Sequence, residues 1–214
     1  VFRDEQIARE FWPAVRRTSQ YTLLNTIMAW VFGLSLALLM YEIGFKGGLF
    51  TLIYAPMLLP GLVVGFMALM LFAKETGTVN LLLMKLGWLK EPINIRSGEG
   101  LAYGLPLFTG WQYAGWNLAV FLSGLLAIPR ETIESAVVDG ASYLQRLWYI
   151  YLTQMLPTAV LITSSALMGS FQCFDILLPL GGMSGNEEAE FLSIVIFRYG
   201  FSANKLALGL AMSI

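Results

Sequence analysis

The stretch with the clearest chemical character lies mid-chain, at residues 130–150. Its charged residues are Arg130, Glu131, Glu134, Asp139 and Arg146. Pro129 stops the preceding helix, acidic side chains suit the first turn of a new one, and Gly140 lets the backbone turn sharply. The pattern predicts a short exposed helix with a glycine corner. Such a helix is suited to docking a protein partner, and an ordinary amphipathic loop helix would use the same residues.

A second cluster mixes aromatic rings with amides in WQYAGWN, residues 111–117. On a helix, Gln112 lies one turn from Trp116 and Tyr113 one turn from Asn117, so two adjacent stripes are predicted. Amide hydrogen bonds and apolar ring faces commonly hold sugars, and polar groups inside a membrane usually face a cavity or the bundle interior. The segment therefore predicts a lining for a polar solute. Helix packing with an interfacial aromatic belt explains it equally well.

A later uncharged run contains another polar strip, made of Ser164, Ser165, Ser170 and Gln172. We take Ser164 and Gln172 as further candidates for a solute pathway. Hydrogen bonds between helices, worth about 1 kcal/mol each, are the alternative explanation of the same strip.

The residue types needed for covalent chemistry are scarce. Histidine is absent, which removes the commonest general base and the commonest metal ligand. Cys173 is the single cysteine and stands in an apolar stretch, where an inert buried thiol is expected. The net charge of −1 creates no basic field for nucleic acid. We therefore expect no enzyme activity, no metal or cofactor in this chain and no nucleic-acid partner.

The composition indicates a membrane protein. Hydrophobic residues make up 57% of the chain and charged residues 13%, against about 25% charged in soluble domains. Four stretches carry no charge: those between Arg17 and Glu42, Lys46 and Lys74, Glu99 and Arg130, and Arg146 and Asp175. Each exceeds the roughly 20 residues that cross a bilayer. A fifth run after Lys205 resembles the first half of a span. We predict an all-α fold, a polytopic transmembrane helical bundle.

Residues 130–150 must lie outside the hydrocarbon of that bilayer. Each Arg or Asp at the membrane centre costs roughly 2.5–3.5 kcal/mol, so burying this segment would cost on the order of 10 kcal/mol. The charged segment is therefore an exposed element between two spans.

Smaller features carry three further predictions. Gly61 and Gly65 form a small-xxx-small pair that favours close helix packing over a gating hinge. The amphipathic start of the chain predicts an interfacial helix that is broken near Pro13 and leads into the first span. The apolar run at residues 191–197 is too short to span, so it is expected at the interface or in a re-entrant segment.

The spacing within the charged stretch carries a family resemblance. Glu134-Ser135-Ala136, three residues, Gly140, nine residues and Ile150 resemble the EAA motif of the membrane subunits of binding-protein-dependent ABC importers. That signature consists of EAA, three residues, Gly, nine residues and I-x-LP. The segments at 25–40, 56–65 and 170–182 follow in the order of a carbohydrate-uptake permease, similar to maltose or glycerol-phosphate importers.

Two positions depart from the family signature. Ser135 replaces a small residue and keeps the volume low. Thr153 stands where the motif has proline, while Pro157 follows one turn later. The bend after the motif helix is therefore not defined by the signature.

The resemblance implies a specific fold and set of contacts. The fold is the ABC importer permease fold, with 130–150 as its cytoplasmic coupling segment. That segment fits into a cleft of an ATP-hydrolysing subunit. Carried over by position, the contact residues are Glu134, Ala136, Asp139, Gly140 and Ala141.

The resemblance also implies partners and a location. They are an ATP-hydrolysing subunit dimer that binds ATP and Mg, a second homologous permease, an extracytoplasmic solute-binding protein and the lipid bilayer. The location is the plasma (cytoplasmic) membrane of a prokaryote, with several passes. Residues 1–214 would form a single permease domain, with the first family helix preceding Val1 and the last helix truncated.

Charge and motif disagree about topology. If 130–150 is cytoplasmic, alternation places 42–46 inside and 1–17, 74–99 and 175–204 outside. Most Lys and Arg side chains then face out, against the positive-inside tendency. We give the motif more weight, because the charge tendency weakens for long loops.

Three other functions compete with sugar import. An ABC importer permease for a polyamine or amino acid differs only in solute. An ion-coupled secondary transporter normally needs charged or unwound sites near the midplane, and the four uncharged runs count against it. An intramembrane enzyme is disfavoured by the absence of histidine and of paired carboxylates within the spans.

Overall fold

The computed structural model describes residues 5–44, 46–96, 98–183, 186–203 and 205–213, with side chains from residue 7 onward. Within these residues all regular structure is helical, as the sequence predicts. The α-helices are α1 (Glu5–Ile43), α2 (Gly47–Tyr54), α3 (Gly61–Leu71), α4 (Thr78–Lys85), α5 (Gly98–Gln112), α6 (Ala114–Leu126), α7 (Arg130–Val138), α8 (Tyr143–Arg146), α9 (Leu152–Gln154), α10 (Leu156–Phe171), α11 (Leu192–Phe197) and α12 (Leu206–Met212). Two π-helical turns, Leu147–Tyr151 and Arg198–Ser202, follow α8 and α11.

The chain divides into two compact units. Unit 1 comprises Val1–Asn25, Leu59–Thr109 and Met168–Ile214, and unit 2 comprises Thr26–Leu58 and Gly110–Leu167. The proposed coupling segment and the segment 111–117 both belong to unit 2. The single permease domain expected from the sequence stays a prediction.

Glycine permits close packing inside unit 1. A Cβ added to Gly65 would lie 2.5 Å from the backbone oxygen of Ile176 and 3.1 Å from Pro179 Cγ. The same atom on Gly61 would lie 3.4 Å from Asp175 Cβ, which is ordinary van der Waals contact. The close approach predicted for this glycine pair is present at Gly65, whereas Gly61 would tolerate a Cβ.

Cys173 lies in the buried core of unit 1, as its apolar surroundings predict. Its thiol is enclosed by the apolar side chains of this core, in agreement with the expectation of a buried cysteine.

The prediction of a break at Pro13 is wrong. Helix α1 runs through Pro13 without interruption. On either side of it, Ile7, Phe11 and Ala14 are buried against Val195 in one apolar cluster. This packing holds the turns that flank the proline, which offsets the backbone hydrogen bond that the ring removes.

Charged groups also join α1 to the end of the chain within unit 1. Arg198 lies 2.6 Å from Glu10 and also pairs with Glu190, and the Tyr199 hydroxyl donates to Glu10 at 2.9 Å. The run at 191–197 contains α11, with Ile194 and Val195 fully buried. Its apolar residues therefore serve the core of this unit.

Unit 2 contains a separate apolar core. Its buried residues are Ala29, Ala37, Met40, Leu118, Phe121, Leu122, Leu125, Ile128, Tyr151, Met155 and Ile162. The Trp30 and Phe121 rings meet edge-on, with centroids 5.6 Å apart, and Trp30 Nε1 donates to Thr163 Oγ1 at 3.2 Å. Tyr151 and Met155 extend this core to the end of the charged segment.

The spans can be counted by helix length and composition. One helix, Ile7–Ile43, is long and apolar enough to cross a membrane. Two bent pairs qualify if each is one span: Gly47–Leu58 with Gly61–Leu71, and Tyr143–Gln154 with Leu156–Phe171. The third uncharged run is split at Tyr113. The described residues thus hold one to three spans, and four complete spans stay a prediction.

Candidate functional site

Helix α7 begins directly after Pro129, whose extended backbone (φ −59°, ψ 133°) starts the helix. Glu131 lies in its first turn, where a negative charge interacts favourably with the helix dipole. Ile133 packs on the core of unit 2, and Glu134 is exposed on another face. The helix therefore rests on the protein through half-buried Ile133 and leaves its polar side exposed, and none of its residues is fully buried.

Gly140 ends this helix in a defined corner. Ala141 donates its backbone N–H to the Ala136 carbonyl at 2.9 Å, and Gly140 donates to Val137 at 3.0 Å. These two bonds form the Schellman motif, which needs positive φ at the glycine. Gly140 has φ +79°, and no atom lies within 4 Å of where its Cβ would be. The glycine is thus required by the backbone of the corner, and its surface is open.

A capping box starts the next helix two residues later. Ser142 N–H donates to Gln145 Oε1 at 2.7 Å, and Gln145 N–H donates to Ser142 Oγ at 3.4 Å. The Schellman glycine and the capping box leave only Ala141 between them. Local hydrogen bonds therefore define the path of the chain from α7 into α8.

The helix after the charged segment bends at Met155. The family signature did not define this bend, because Thr153 stands where the motif has proline. The helices on either side of Met155 are inclined by 67°. Pro157 has no N–H to donate to the carbonyl of Thr153, so the helical hydrogen bond to that carbonyl is missing at the bend. Thr153 instead donates its hydroxyl to the Trp148 carbonyl at 3.3 Å. The bend is thus kept without a proline at position 153.

The predicted contact residues are largely free on this chain. Glu134, Asp139 and Gly140 are exposed, and Ala136 and Ala141 are half-buried. Val138 is 86% exposed, although it is the last apolar residue of α7. Sequence reasoning did not include Val138 in the contact set. The sequence signal that could have identified Val138 is its position two residues before Gly140, where the helix ends.

The two stripes predicted for 111–117 do not form. Helix α5 ends at Gln112 and α6 begins at Ala114, so the helical phase changes at Tyr113. Gln112 and Asn117 are buried, whereas Tyr113 and Trp116 are exposed. Each predicted stripe therefore contains one buried amide and one exposed ring. The rings, and not the ring-amide pairs, form the accessible part of this segment.

The structure also explains why the chain packs closely beside this break. A Cβ on Gly115 would lie 2.5 Å from Tyr54 Cα, and one on Gly110 would lie 2.9 Å from Met28 Cβ. The two glycines let neighbouring helices of unit 2 approach on one side. Tyr113 lies between these two glycines in sequence, and Trp116 directly follows the second of them.

The remaining pathway candidates lie in different units. Ser164 is exposed on the part of α10 that belongs to unit 2, and Gln172 is exposed in unit 1. Ser165, the neighbour of Ser164, donates its hydroxyl to the Leu161 carbonyl at 2.8 Å. This hydrogen bond satisfies the Ser165 hydroxyl within the helix. Among the residues that the structure describes, no group of three or more Cys, Asp or Glu side chains is placed to hold a metal ion.

Comparison with known proteins decides the class of this helical chain. The model of one family, described as binding-protein-dependent transport system inner membrane component, matches residues 29–214. The chain belongs to this family. The match includes all of the charged segment and both helices beside Tyr113. The family is one of transport components and not of enzymes, which confirms the predicted class, the helical membrane fold and the resemblance.

Curated relatives of this inner membrane component share about a quarter of its residues. The probable starch degradation products transport system permease protein AmyD of Thermoanaerobacterium thermosulfurigenes is 27% identical, over 96% of this chain and 70% of the relative. The arabinooligosaccharides transport system permease protein AraP of Bacillus subtilis is 26% identical, over 95% of this chain and 66% of the relative. The trehalose/maltose transport system permease protein MalF of Thermococcus litoralis is 25% identical, over 97% of this chain and 70% of the relative. The chain spans about two thirds of the length of these relatives.

A solved structure has the same fold. A chain in the crystal structure of a bacterial ABC transporter involved in the import of the acidic polysaccharide alginate matches this inner membrane component with a TM-score of 0.83. The match covers 95% of this chain and 72% of that one, at 24% identity. It confirms the predicted permease fold.

Proposed function

We propose that this inner membrane component forms, with a second homologous permease, the membrane pathway of an ATP-driven importer for a sugar or oligosaccharide. A solute-binding protein delivers the solute from outside, and an ATP-hydrolysing subunit dimer carries ATP and Mg on the cytoplasmic side. The family description supports the dependence on a binding protein. The names of relatives that transport starch products, arabinooligosaccharides and trehalose or maltose support a carbohydrate solute.

The coupling mechanism that we propose is mechanical. Glu134, Ala136, Asp139, Gly140 and Ala141 contact the ATP-hydrolysing subunit, and the docked helix moves when that dimer closes on ATP. The movement switches the pathway between inward-facing and outward-facing states. The two states must differ in affinity for nucleotide and for the loaded binding protein, because a ligand shifts an equilibrium only by its differential affinity.

One observation carries the coupling proposal. The corner at Gly140 is closed by its own backbone hydrogen bonds and leaves the predicted contact residues largely free. An ordinary loop helix would not need the spacing from Glu134 to Ile150 that the family shares. Because the Val138 side chain is exposed, it offers the partner an apolar contact beside the carboxylates of Glu134 and Asp139.

Purification of the tagged chain from its native membrane tests this assembly. We expect an ATP-hydrolysing subunit and a second permease to co-purify, and a carbohydrate-loaded binding protein to stimulate ATP hydrolysis. Charge reversal at both Glu134 and Asp139 should release the ATP-hydrolysing subunit and keep the second permease. Stimulation by an amino-acid or polyamine binding protein alone would contradict the sugar assignment. Retention of the ATP-hydrolysing subunit after charge reversal would contradict the docking assignment.

We propose that the exposed rings of Tyr113 and Trp116 line the solute pathway. Replacement of Trp116 by alanine should lower the uptake rate several-fold while the ATP-hydrolysing subunit stays bound, because a sugar ring loses an apolar surface. Radiolabelled uptake into proteoliposomes measures the effect. Trp88 is the control, since it is an exposed tryptophan outside this segment. Equal uptake by the Trp116→Ala and Trp88→Ala variants would indicate that the Trp116 ring does not line the pathway.

A further inference from the structure

Two consecutive aromatic residues are exposed at the end of the charged segment. Trp148 is 65% exposed and Tyr149 is 78% exposed. Both belong to the π-helical turn Leu147–Tyr151, whose other members lie against the core of unit 2. Tyr151 is buried, and its ring meets that of Tyr41 edge-on with centroids 6.0 Å apart. One side of this turn is thus anchored in the protein, and the other presents two large rings outward.

The position of this turn in the sequence coincides with a boundary between polar and apolar residues. Arg146 is the last charged residue before Asp175. Its guanidinium lies 5.9 Å from the centroid of the Tyr143 ring, on the polar side of the boundary. Trp148 and Tyr149 are therefore among the first residues of an uncharged run that is long enough to span a bilayer.

The exposed surface continues into a candidate membrane span. The turn belongs to the bent pair Tyr143–Gln154 and Leu156–Phe171, which is apolar enough to cross a membrane. Beyond the bend, the large apolar side chains of Leu156 and Val160 are also exposed. Lipid is the environment of such a surface in an inner membrane component. Tryptophan and tyrosine are enriched where such spans meet water, because one part of each ring is polar.

We propose that Trp148 and Tyr149 insert into the headgroup layer of the cytoplasmic leaflet and hold the coupling segment at a fixed depth. The proposal rests on the cytoplasmic placement of residues 130–150 under the proposed function. It divides this segment into two surfaces. Residues before the capping box of Ser142 contact the ATP-hydrolysing subunit, and the π-helical turn contacts lipid.

The division has a mechanical consequence. The turn is fixed to the core of unit 2 by Tyr151 and to the bilayer by its two exposed rings. Between this turn and the glycine corner lie only Ala141, the capping box and α8. A force on the corner would therefore pass into the core of unit 2, because the turn resists sliding along the membrane normal.

Spin labels at positions 138 and 148 test the proposal in the assembled complex. Each position is changed to cysteine in a Cys173→Ala background, and position 149 provides a second label if a Trp148 variant folds poorly. Collision with oxygen reports lipid, and collision with a water-soluble nickel chelate reports water. Accessibility is measured in proteoliposomes with the ATP-hydrolysing subunit bound and after it has been stripped.

The expected result separates the two surfaces. The label at 148 should show the same ratio of oxygen to nickel collisions in both states, and a higher ratio than a fully water-exposed position, whereas the label at 138 should be open to nickel only after stripping. Nickel access at 148 after stripping, lost when the subunit rebinds, would overturn the lipid proposal and make Trp148 a docking residue. Protection at 148 from both reagents in both states would also overturn it. The label at 138 reports the proposed docking independently, so the two failures are distinguishable.

Discussion

Replacement of Gly140 by valine is expected to abolish stimulated ATP hydrolysis by the assembled importer while the subunit still inserts. At φ +79° a residue with a Cβ costs about 1–2 kcal/mol, and a β-branched one is disfavoured further. The corner can relieve this strain only by giving up the bond from Ala141 to Ala136 and changing the direction of α8. We expect stimulated ATPase activity to fall at least about tenfold, since 1.4 kcal/mol corresponds to a factor of ten.

Gly87 offers a matched control for the backbone cost. It has φ +74°, and its added Cβ would also meet nothing within 4 Å. Gly87 donates to the Met84 carbonyl and Trp88 to the Leu83 carbonyl, both at 3.0 Å, so this glycine ends α4 in the same Schellman motif. The Gly87→Val variant should keep stimulated ATPase activity. Normal stimulation in the Gly140→Val variant, or equal losses in both variants, would contradict a docking role for the corner.

Replacement of Gly65 by alanine is expected to lower the stability of the folded chain. The new Cβ would lie 2.5 Å from the Ile176 backbone oxygen, and a backbone atom cannot move away as a flexible side chain can. Overpacking of this kind costs about 1–3 kcal/mol. For a chain of this size that corresponds to a fall in Tm of roughly 2–12 °C, which thermal unfolding of the detergent-purified protein would measure.

Gly61 provides the control on the same helix. Its added Cβ would make only an ordinary contact of 3.4 Å with Asp175 Cβ. The Gly61→Ala variant should therefore keep its Tm within about 2 °C, since a substitution without overpacking has a small effect. A similar Tm for the Gly65→Ala variant would show that α3 and the segment around Ile176 separate easily. Such a result would favour a hinge at this glycine pair over packing.

The coupling segment was predictable because its structure depends on residues close together in sequence. The helix start at Pro129, the glycine corner and the capping box involve hydrogen bonds across at most five positions. Proline and glycine specify such features through their own backbone preferences. The bend at Met155 was not predictable from the family signature, because the proline that accompanies it stands at a different position here.

The polar and aromatic segment was predicted only in part. Its residue types predicted two ring-amide stripes that line a path for a polar solute, but a continuous helical period was assumed through Tyr113. The break there changed which side chains are buried, and Gln112 and Asn117 became the buried pair. That choice depends on the close approach of helices at Gly110 and Gly115, whose partners lie far away in sequence.

The sequence by itself determined that this is a helical membrane component and where its charged corner lies. Both follow from composition and short-range spacing, since the cost of charges in lipid and the φ of a glycine need no distant partner. Only the tertiary structure decided that α1 continues through Pro13, that Gly65 lies against Ile176 and that Trp148 and Tyr149 stay exposed. These features depend on which surfaces meet in the folded chain, because packing between distant segments stabilises or excludes each local alternative.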